Sequence, residues 1–260
     1  MNDKKVIWIT GASSGIGRSL ALKFAKEGWT VAASARRENL LQELHTENEN
    51  IHSFPLDVTN TEQCKVVFND IVKKFENIEI CVFGTGIHDP KSEKNFNLDK
   101  IRKIMEVNYT GTVALTKAVL PYFIEKQQGQ IVVTTSIVGL IGTPLRSSYA
   151  ASKHALHGFF DSLRAEVHDH HIDVTLICPG FVSTNISMNA LTGDGTSQQK
   201  MDTATANGIS PERFAKLMAK AIHSKKEEAY IAGFKEKLGV YVKRWFPRVF
   251  SIMIRKLSVT

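Results

Sequence analysis

Thr10-Gly11-Ala12-Ser13-Ser14-Gly15-Ile16-Gly17 is the stretch on which the fold turns. It follows a short apolar run, Val6-Ile7-Trp8-Ile9, and opens a helical pattern over Gly15–Glu27. Glycines at a strand-to-helix turn let the backbone approach a pyrophosphate. The helix that begins there offers unpaired N–H groups and the positive end of its dipole. The turn therefore nominates Gly11, Ser13, Ser14, Gly15, Ile16 and Gly17 as phosphate and cofactor contacts. A glycine-rich turn by itself also fits a plain loop, so support has to come from the rest of the chain.

Outward from that turn, short apolar runs alternate with longer amphipathic stretches. Strand patterns cover 6–10, 30–35, 51–56, 79–83, 130–135, 173–177 and 229–232. Helical patterns cover 15–27, 37–47, 62–75, 98–126, 147–169 and 211–223. This alternation predicts an α/β fold, a single doubly wound Rossmann-type domain with a mainly parallel sheet. The domain spans 1–233, and a basic amphipathic helical extension covers 234–260. Residues 189–208 are polar, rich in Gly and Thr and weakly periodic, which predicts a substrate loop or lid.

The chain has 260 residues and is 43% hydrophobic, enough for one sizeable core. Its three cysteines, Cys64, Cys81 and Cys178, show neither a disulfide framework nor metal-ligand spacing and read as reduced core thiols of a cytoplasmic protein. The N-terminal apolar run is too short for a signal peptide or a membrane span. Of the net charge of +7, the segment 234–260 carries +6, from seven basic residues and one acidic residue. The basicity is thus local, which argues against a general nucleic-acid-binding surface.

The second strand pattern ends at Ala35-Arg36-Arg37. An acidic residue here would accept hydrogen bonds from the adenosine ribose and select NAD. Two arginines suit a 2′-phosphate instead, so NADP(H) is favoured over NAD(H), with Arg36 as the phosphate ligand.

Far downstream stand Ser136 and Tyr149-Ala150-Ala151-Ser152-Lys153. Tyr149 and Lys153 are four apart and share one helix face. A cation beside a phenol favours the phenolate, so Tyr149 can exchange a proton with a carbonyl or alcohol oxygen near the working pH. Ser136, at the end of a strand, can hold and polarise the same oxygen.

Taken together, these motifs make the chain similar to the short-chain dehydrogenase/reductase family. The resemblance runs from Lys5 to Ala232 and includes the glycine turn, Asp57-Val58, Val107-Asn108-Tyr109, Ser136, the Tyr149/Lys153 pair and Pro179-Gly180-Phe181-Val182-Ser183-Thr184. Residues 130–186 look most like membrane-associated dehydrogenase/reductases of the member-7 type and hydroxysteroid dehydrogenases. The resemblance implies that Asp57 and Val58 flank the adenine. It also implies that Asn108 kinks its helix and holds a water in a proton relay with Lys153. Lys153 would contact the nicotinamide ribose as well, and Val182 and Thr184 the carboxamide. Gly86, Pro179 and Gly180 complete the cofactor set. A homodimer or homotetramer is implied in the same way. One departure is plain: where the family has Asn-Asn-Ala-Gly, this chain has Phe83-Gly84-Thr85-Gly86.

Around the pocket mouth the sequence places Ile87, Val138, Leu140, Ile141, Leu145, Phe181, Ile186 and Met188. Their apolar character implies a small hydrophobic ketone or secondary alcohol. His88 reads as an exposed loop residue. His168, His170 and His171 read as helix C-terminal polarity, with no metal site implied. In the tail, Leu238, Tyr241, Val242, Trp245, Val249, Ile252 and Met253 share a face, and Lys237, Arg244, Arg248 and Arg255 form a stripe beside it. Pro247 should split the segment in two. Such a segment fits a membrane interface, so the location is cytoplasmic or peripheral to a membrane. It fits packing on the body or a second subunit equally. The reading is an NADP(H)-dependent carbonyl reductase or alcohol dehydrogenase. Its alternatives are a nucleotide-binding sensor without turnover and a membrane-surface reductase of lipid-like ketones.

Overall fold

The computed structural model describes residues 5–88, 97–184 and 203–255. One sheet contains seven parallel strands: β1 (Val6–Thr10), β2 (Thr30–Ser34), β3 (Ile51–Ser53), β4 (Ile80–Phe83), β5 (Gly129–Thr134), β6 (Ile172–Pro179) and β7 (Glu228–Ile231). The helices are α1 (Gly15–Lys26), α2 (Glu38–Glu47), α3 (Thr61–Phe75), α4 (Leu98–Met105), α5 (Gly111–Lys126), α6 (Ser147–Glu166), α7 (Thr203–Ala206), α8 (Pro211–His223), α9 (Phe234–Trp245) and α10 (Pro247–Ile254). Most of the loop expected at 189–208, together with Ile186 and Met188, lies outside the described residues.

Every residue of β1 is buried, and its side chains alternate between two cores. Val6 and Trp8 join Phe68, Phe123 and Phe160 on one face, while Ile7 and Ile9 join Phe24, Phe214 and Met218 on the other. Strand β4 repeats this, with Cys81 and Phe83 on the first face and Ile80 and Val82 on the second. A sheet buried on both sides needs helices on both sides, which makes the fold doubly wound. The Trp8 indole N–H would be a buried orphan but donates to Ser34 Oγ at 2.9 Å.

Two expected elements change length. β3 stops at Ser53 because Pro55 interrupts the ladder, although Phe54 N and Leu56 N still donate to Ala33 and Ala35. The expected helix at 98–126 is divided by a π-helical turn at Glu106–Thr110. Part of the tail packs on the body: Phe250 is buried against Ile137, Ile141 and Cys178, and Val240 and Val242 pack beside it. Pro247 separates α9 from α10 as expected. The apolar face of the tail points outward, leaving Leu238, Tyr241, Trp245, Val249, Ile252 and Met253 exposed.

The strand order is β3-β2-β1-β4-β5-β6-β7, so the chain reverses direction across the sheet between β1 and β4. A crevice opens at the carboxyl ends of the strands flanking such a switch point, and ligands bind there in folds of this kind.

Candidate active site

A cavity of about 510 Å³ occupies that crevice. Every residue that the sequence nominates as a cofactor contact lines it, from Gly11 through Gly86 to Thr184. At one end lies the glycine turn. Gly11 and Gly15 take left-handed φ values of 72° and 56°. A Cβ on Gly17 would stand 2.3 Å from the Gly11 carbonyl oxygen, and one on Gly11 would stand 2.8 Å from that of Gly84. Only backbone fits here, and the space beyond it is open. Ser14 caps α1 in extended conformation without a side-chain cap bond, and the first turn holds no acidic residue. The first-turn N–H groups therefore keep their positive end for an anion.

Of the two arginines after β2, Arg37 reaches this turn. Its guanidinium donates to Ser13 Oγ at 2.9 Å and to Ser14 Oγ at 3.1 Å. Arg36, nominated for that position, lines the cavity without a hydrogen bond among the described residues. Arg37 stands at the N-cap of α2 in extended conformation, and this aims it across the crevice. The Asp57 carboxylate accepts from the backbone N–H and the hydroxyl of Thr59, which fixes the loop bearing Val58.

At the other end stand the groups that the sequence nominates for proton transfer. Lys153 Nζ is buried and donates to Thr134 O at 2.8 Å, 5.8 Å from the centre of the Tyr149 ring. Ser136 Oγ accepts from Val138 N at 3.1 Å and lies 3.4 Å from Pro179 O, to which it donates. A side chain on Gly86 would begin 3.6 Å from Lys153 Nζ and 3.5 Å from Asn108 Oδ1, so glycine leaves the approach open. Asn108 is wholly buried behind the cavity wall. Its Oδ1 accepts from Ile87 N at 2.8 Å, and its Nδ2 donates to Ile87 O and Ser152 Oγ, both at 3.0 Å. Its carbonyl, inside the π-helical turn, accepts from Thr112 Oγ1 of α5.

The electrostatics differ from the sequence expectation in one respect. Burial pushes the Tyr149 phenol above its ordinary value, while a hydrogen bond with Ser136 and the Arg146 cation act in the opposite sense. Lys153, expected to lower it, is itself brought down to about 8 by burial, with Cys178 acting weakly the other way. Desolvation wins here because both groups lie deep in the crevice.

The sequence of residues 5–194 matches the family model described as short chain dehydrogenase. The chain belongs to the short-chain dehydrogenase family. Among similar proteins are dehydrogenase/reductase SDR family member 7B of Xenopus tropicalis, 37% identical over 94% of this chain and 82% of that protein, and the member 7B protein of Bos taurus, 38% identical over 94% and 78%. A family protein 7-like chain of Anopheles gambiae is 38% identical over 97% and 82%. A short-chain dehydrogenase from Streptomyces avermitilis superposes with TM-score 0.80 at 25% identity, covering 96% of both chains. ElxO with NADP bound superposes at 0.74 with 27% identity, over 88% of this chain and 98% of that one. This short-chain dehydrogenase is therefore an oxidoreductase of the NAD(P)-binding Rossmann type.

Its departure from the family pattern after β4 has a local logic. Phe83 buries its ring edge-on to Trp8 at 6.3 Å. Gly84 lies against β1: Thr10 Oγ1 accepts from Gly84 N at 3.2 Å, and a Cβ at 84 would stand 2.9 Å from Thr10 O. Thr10 thus ties the two strand ends together.

The substrate side also differs. Ile87 and Phe181 line the cavity, whereas Val138, Leu140, Ile141 and Leu145 do not. Ile141 and Leu140 belong to the cluster under the tail, because the turn after Ser136 folds toward α9. Two polar residues take part of that wall. His88, read as an exposed loop residue, is 5% exposed and packs edge-on against Tyr149, and Arg146 is 9% exposed. No periodicity marks His88, which follows β4 in a loop, but Arg146 stands one helical turn before Tyr149 and could have been found from that spacing.

His168–His170 form a 3-10 turn, where His170 Nδ1 pairs with Gln127 Nε2 at 3.0 Å. Among the described residues, the grouping close enough to hold an ion is His157, Cys178 and Glu228, which the fold assembles from α6, β6 and β7. Spacing in the sequence could not show it. Thr135 Oγ1 donates to Cys178 Sγ, and burial pushes that thiol far up, so it stands as a protonated, hydrogen-bonded group.

Proposed function

We propose that this short-chain dehydrogenase is an NADP(H)-dependent carbonyl reductase or alcohol dehydrogenase acting on a hydrophobic ketone or secondary alcohol. The observation that carries this reading is that Tyr149, Ser136 and Lys153 share one cavity with the glycine turn. The cavity suits a dinucleotide. The open first turn of α1 and the glycine backbone would hold the pyrophosphate. Asp57 and Val58 would flank the adenine, Gly86, Tyr149 and Lys153 would meet the nicotinamide ribose, and Pro179, Gly180, Val182 and Thr184 the nicotinamide. Arg37, with Arg36 beside it and no acid at the end of β2, favours the 2′-phosphate of NADP(H). Bound there, a reduced nicotinamide supplies hydride to the carbonyl carbon. Ser136 then holds the carbonyl oxygen, Tyr149 donates its phenolic proton to it, and Lys153 stabilises the phenolate that results. Asn108 supports the wall behind Lys153. Titration with NADPH and NADH, followed by fluorescence, should show tighter NADPH binding. Tyr149→Phe should bind NADPH and lose turnover. Equal binding of the two cofactors would overturn the preference, and a fully active Tyr149→Phe the mechanism.

A second reading concerns the tail, as a peripheral contact with an anionic membrane. Phe234, Leu238, Tyr241 and Trp245 recur at helical spacing on α9 and are 80%, 44%, 56% and 73% exposed. Six basic residues and one acidic residue lie within 234–255. A twofold contact through this face would bring like charges together, whereas an anionic lipid surface would neutralise them. In co-sedimentation with vesicles, recovery should depend on anionic lipid and fall for Trp245→Glu. Equal recovery in the supernatant with and without anionic lipid would sink this reading, and light scattering would reveal the dimer or tetramer that family membership implies. The three buried, unpaired cysteines suit a reducing, cytoplasmic setting.

A further inference from the structure

A second set of chemically active side chains meets away from the cavity. His157 lies on α6, Cys178 near the end of β6 and Glu228 at the start of β7, and none of the three lines the cavity. His157 Nδ1 is 3.4 Å from Glu228 Oε1, His157 Nε2 is 3.9 Å from Cys178 Sγ, and that sulfur is 3.6 Å from the same Oε1. One imidazole nitrogen, the sulfur and one carboxylate oxygen all lie within 4.8 Å of one another. A direct hydrogen bond from the ring nitrogen to the oxygen would close to about 2.7–3.2 Å. The ligands of a tetrahedral zinc ion stand about 3.3–3.8 Å apart, because the bonds to nitrogen, oxygen and sulfur are about 2.0–2.3 Å long.

The surroundings suit such an ion. The Tyr230 hydroxyl donates to the other Glu228 oxygen at 2.7 Å, and Thr135 Oγ1 donates to Cys178 Sγ at 3.2 Å. Hydrogen bonds of this kind orient ligands from outside the set. Glycine at 139 makes room for the imidazole, since a Cβ there would stand 3.1 Å from Nε2. His157 and Cys178 are buried, whereas the Glu228 side chain is 34% exposed and leaves a way in from solvent. One thiolate and one carboxylate balance a dication, so the loaded site is neutral, and burial disfavours net charge. Thiolate with imidazole is a donor set for zinc, not for magnesium or calcium. We propose that His157, Cys178 and Glu228 form a zinc site, with solvent as the fourth ligand. On binding, the Cys178 sulfur exchanges its proton, which leaves to solvent, for the metal, while the imidazole binds in its neutral form. The ion joins α6, β6 and β7. His157 follows Lys153 by one helical turn and Cys178 precedes Pro179 of the cavity wall, so the ion clamps the elements that carry the site.

The test titrates zinc calorimetrically onto the full chain, stripped with a chelator and kept reduced. Zinc should saturate at one equivalent per chain. At about 100-fold its dissociation constant it should raise the thermal midpoint by about 5 °C or more. Cobalt in its place should give thiolate-to-cobalt charge-transfer absorption in the near ultraviolet, which binding to surface histidines would not. Removing even a group that orients a ligand costs about 10- to 100-fold in metal affinity, so Cys178→Ser and Glu228→Gln should each lose at least about tenfold. Cys178→Ser should also lose the cobalt band. Glu228→Gln changes a partly exposed side chain and keeps its shape, so it reads the site even where the buried variant folds poorly. No saturation at one equivalent, a cobalt complex without the charge-transfer band, or zinc affinity unchanged in Glu228→Gln would overturn the proposal.

Discussion

Arg37 and Lys153 show how much of the site is decided by single side chains. Arg37 spends its guanidinium on the hydroxyls of the phosphate turn, Ser13 and Ser14, and so is preplaced at the anion's edge. A charge-assisted hydrogen bond contributes about 1.5–3 kcal/mol. Arg37→Ala should therefore weaken NADPH binding roughly tenfold or more and narrow its lead over NADH, with a smaller effect for Arg36→Ala; paired titrations read both. Lys153 sets a pH limit. With its pKa lowered to about 8, it is charged below that value and neutral above it. In the proposed mechanism the charge on Lys153 stabilises the developing phenolate, so kcat/KM for reduction should fall as pH rises through about 8 in a pH–rate profile. Lys153→Arg stays charged and should lose that alkaline limb. The sign for stability is opposite. Between about 8 and the ordinary lysine value the unfolded chain binds the extra proton, so this residue's contribution to stability grows with pH. The Tyr149–Lys153 pair was legible because a four-residue spacing is helix geometry. Which of two adjacent arginines, both lining the cavity, bonds the serines of the turn was not, because it depends on where α2 starts. His88 was hidden for a similar reason: a loop residue carries no periodic record of its burial.

Among the elements, the strands announce themselves and the interruptions do not. Alternation of Val6 and Trp8 with Ile7 and Ile9 writes the two faces of β1 into the sequence, and burial on both sides gives the unbroken apolar run. The π-helical turn at Glu106–Thr110 leaves no record in apolar spacing, because one extra residue in a turn barely changes it, and only the family resemblance implied a kink at Asn108. Its consequence is specific. The turn presents Asn108 so that its amide closes on both backbone groups of Ile87 and on Ser152, joining the loop after β4 to α6. Asn108→Leu would leave the N–H and C=O of Ile87 without that partner at a partly buried site. Unpaired buried groups cost about 1–3 kcal/mol each. The variant should unfold at distinctly lower denaturant and lose most of its activity, whereas Asn108→Asp, which keeps the acceptor for Ile87 N, should lose less stability in the same denaturant titration.

Across the whole molecule, the tail and the cavity are one unit, although composition divides them sharply at Gly233. The link is Glu236 on α9. Its carboxylate accepts from Phe181 N at 2.8 Å and from Gly233 N, and it lies over Gly180, where any Cβ would meet it at 2.3 Å. Residues 180 and 181 form part of the cavity wall, so an acid in a basic segment braces the site from outside. The charge count of the tail could not reveal this, because it registers Glu236 only as one negative among seven positives. If the tail were an appendage, removing the brace would leave melting of the body unchanged. Because it is part of the same cooperative structure, Glu236→Ala should lower the thermal midpoint. Loss of about 2 kcal/mol of charged hydrogen bonding corresponds to a fall of roughly 5 °C in a chain of this size. Glu236→Gln keeps an acceptor oxygen for Phe181 N and should fall by less. The same two variants should rank in the same order in the KM for a carbonyl compound that the enzyme is found to reduce, because the loop they release carries Phe181, which lines the cavity beside Arg146.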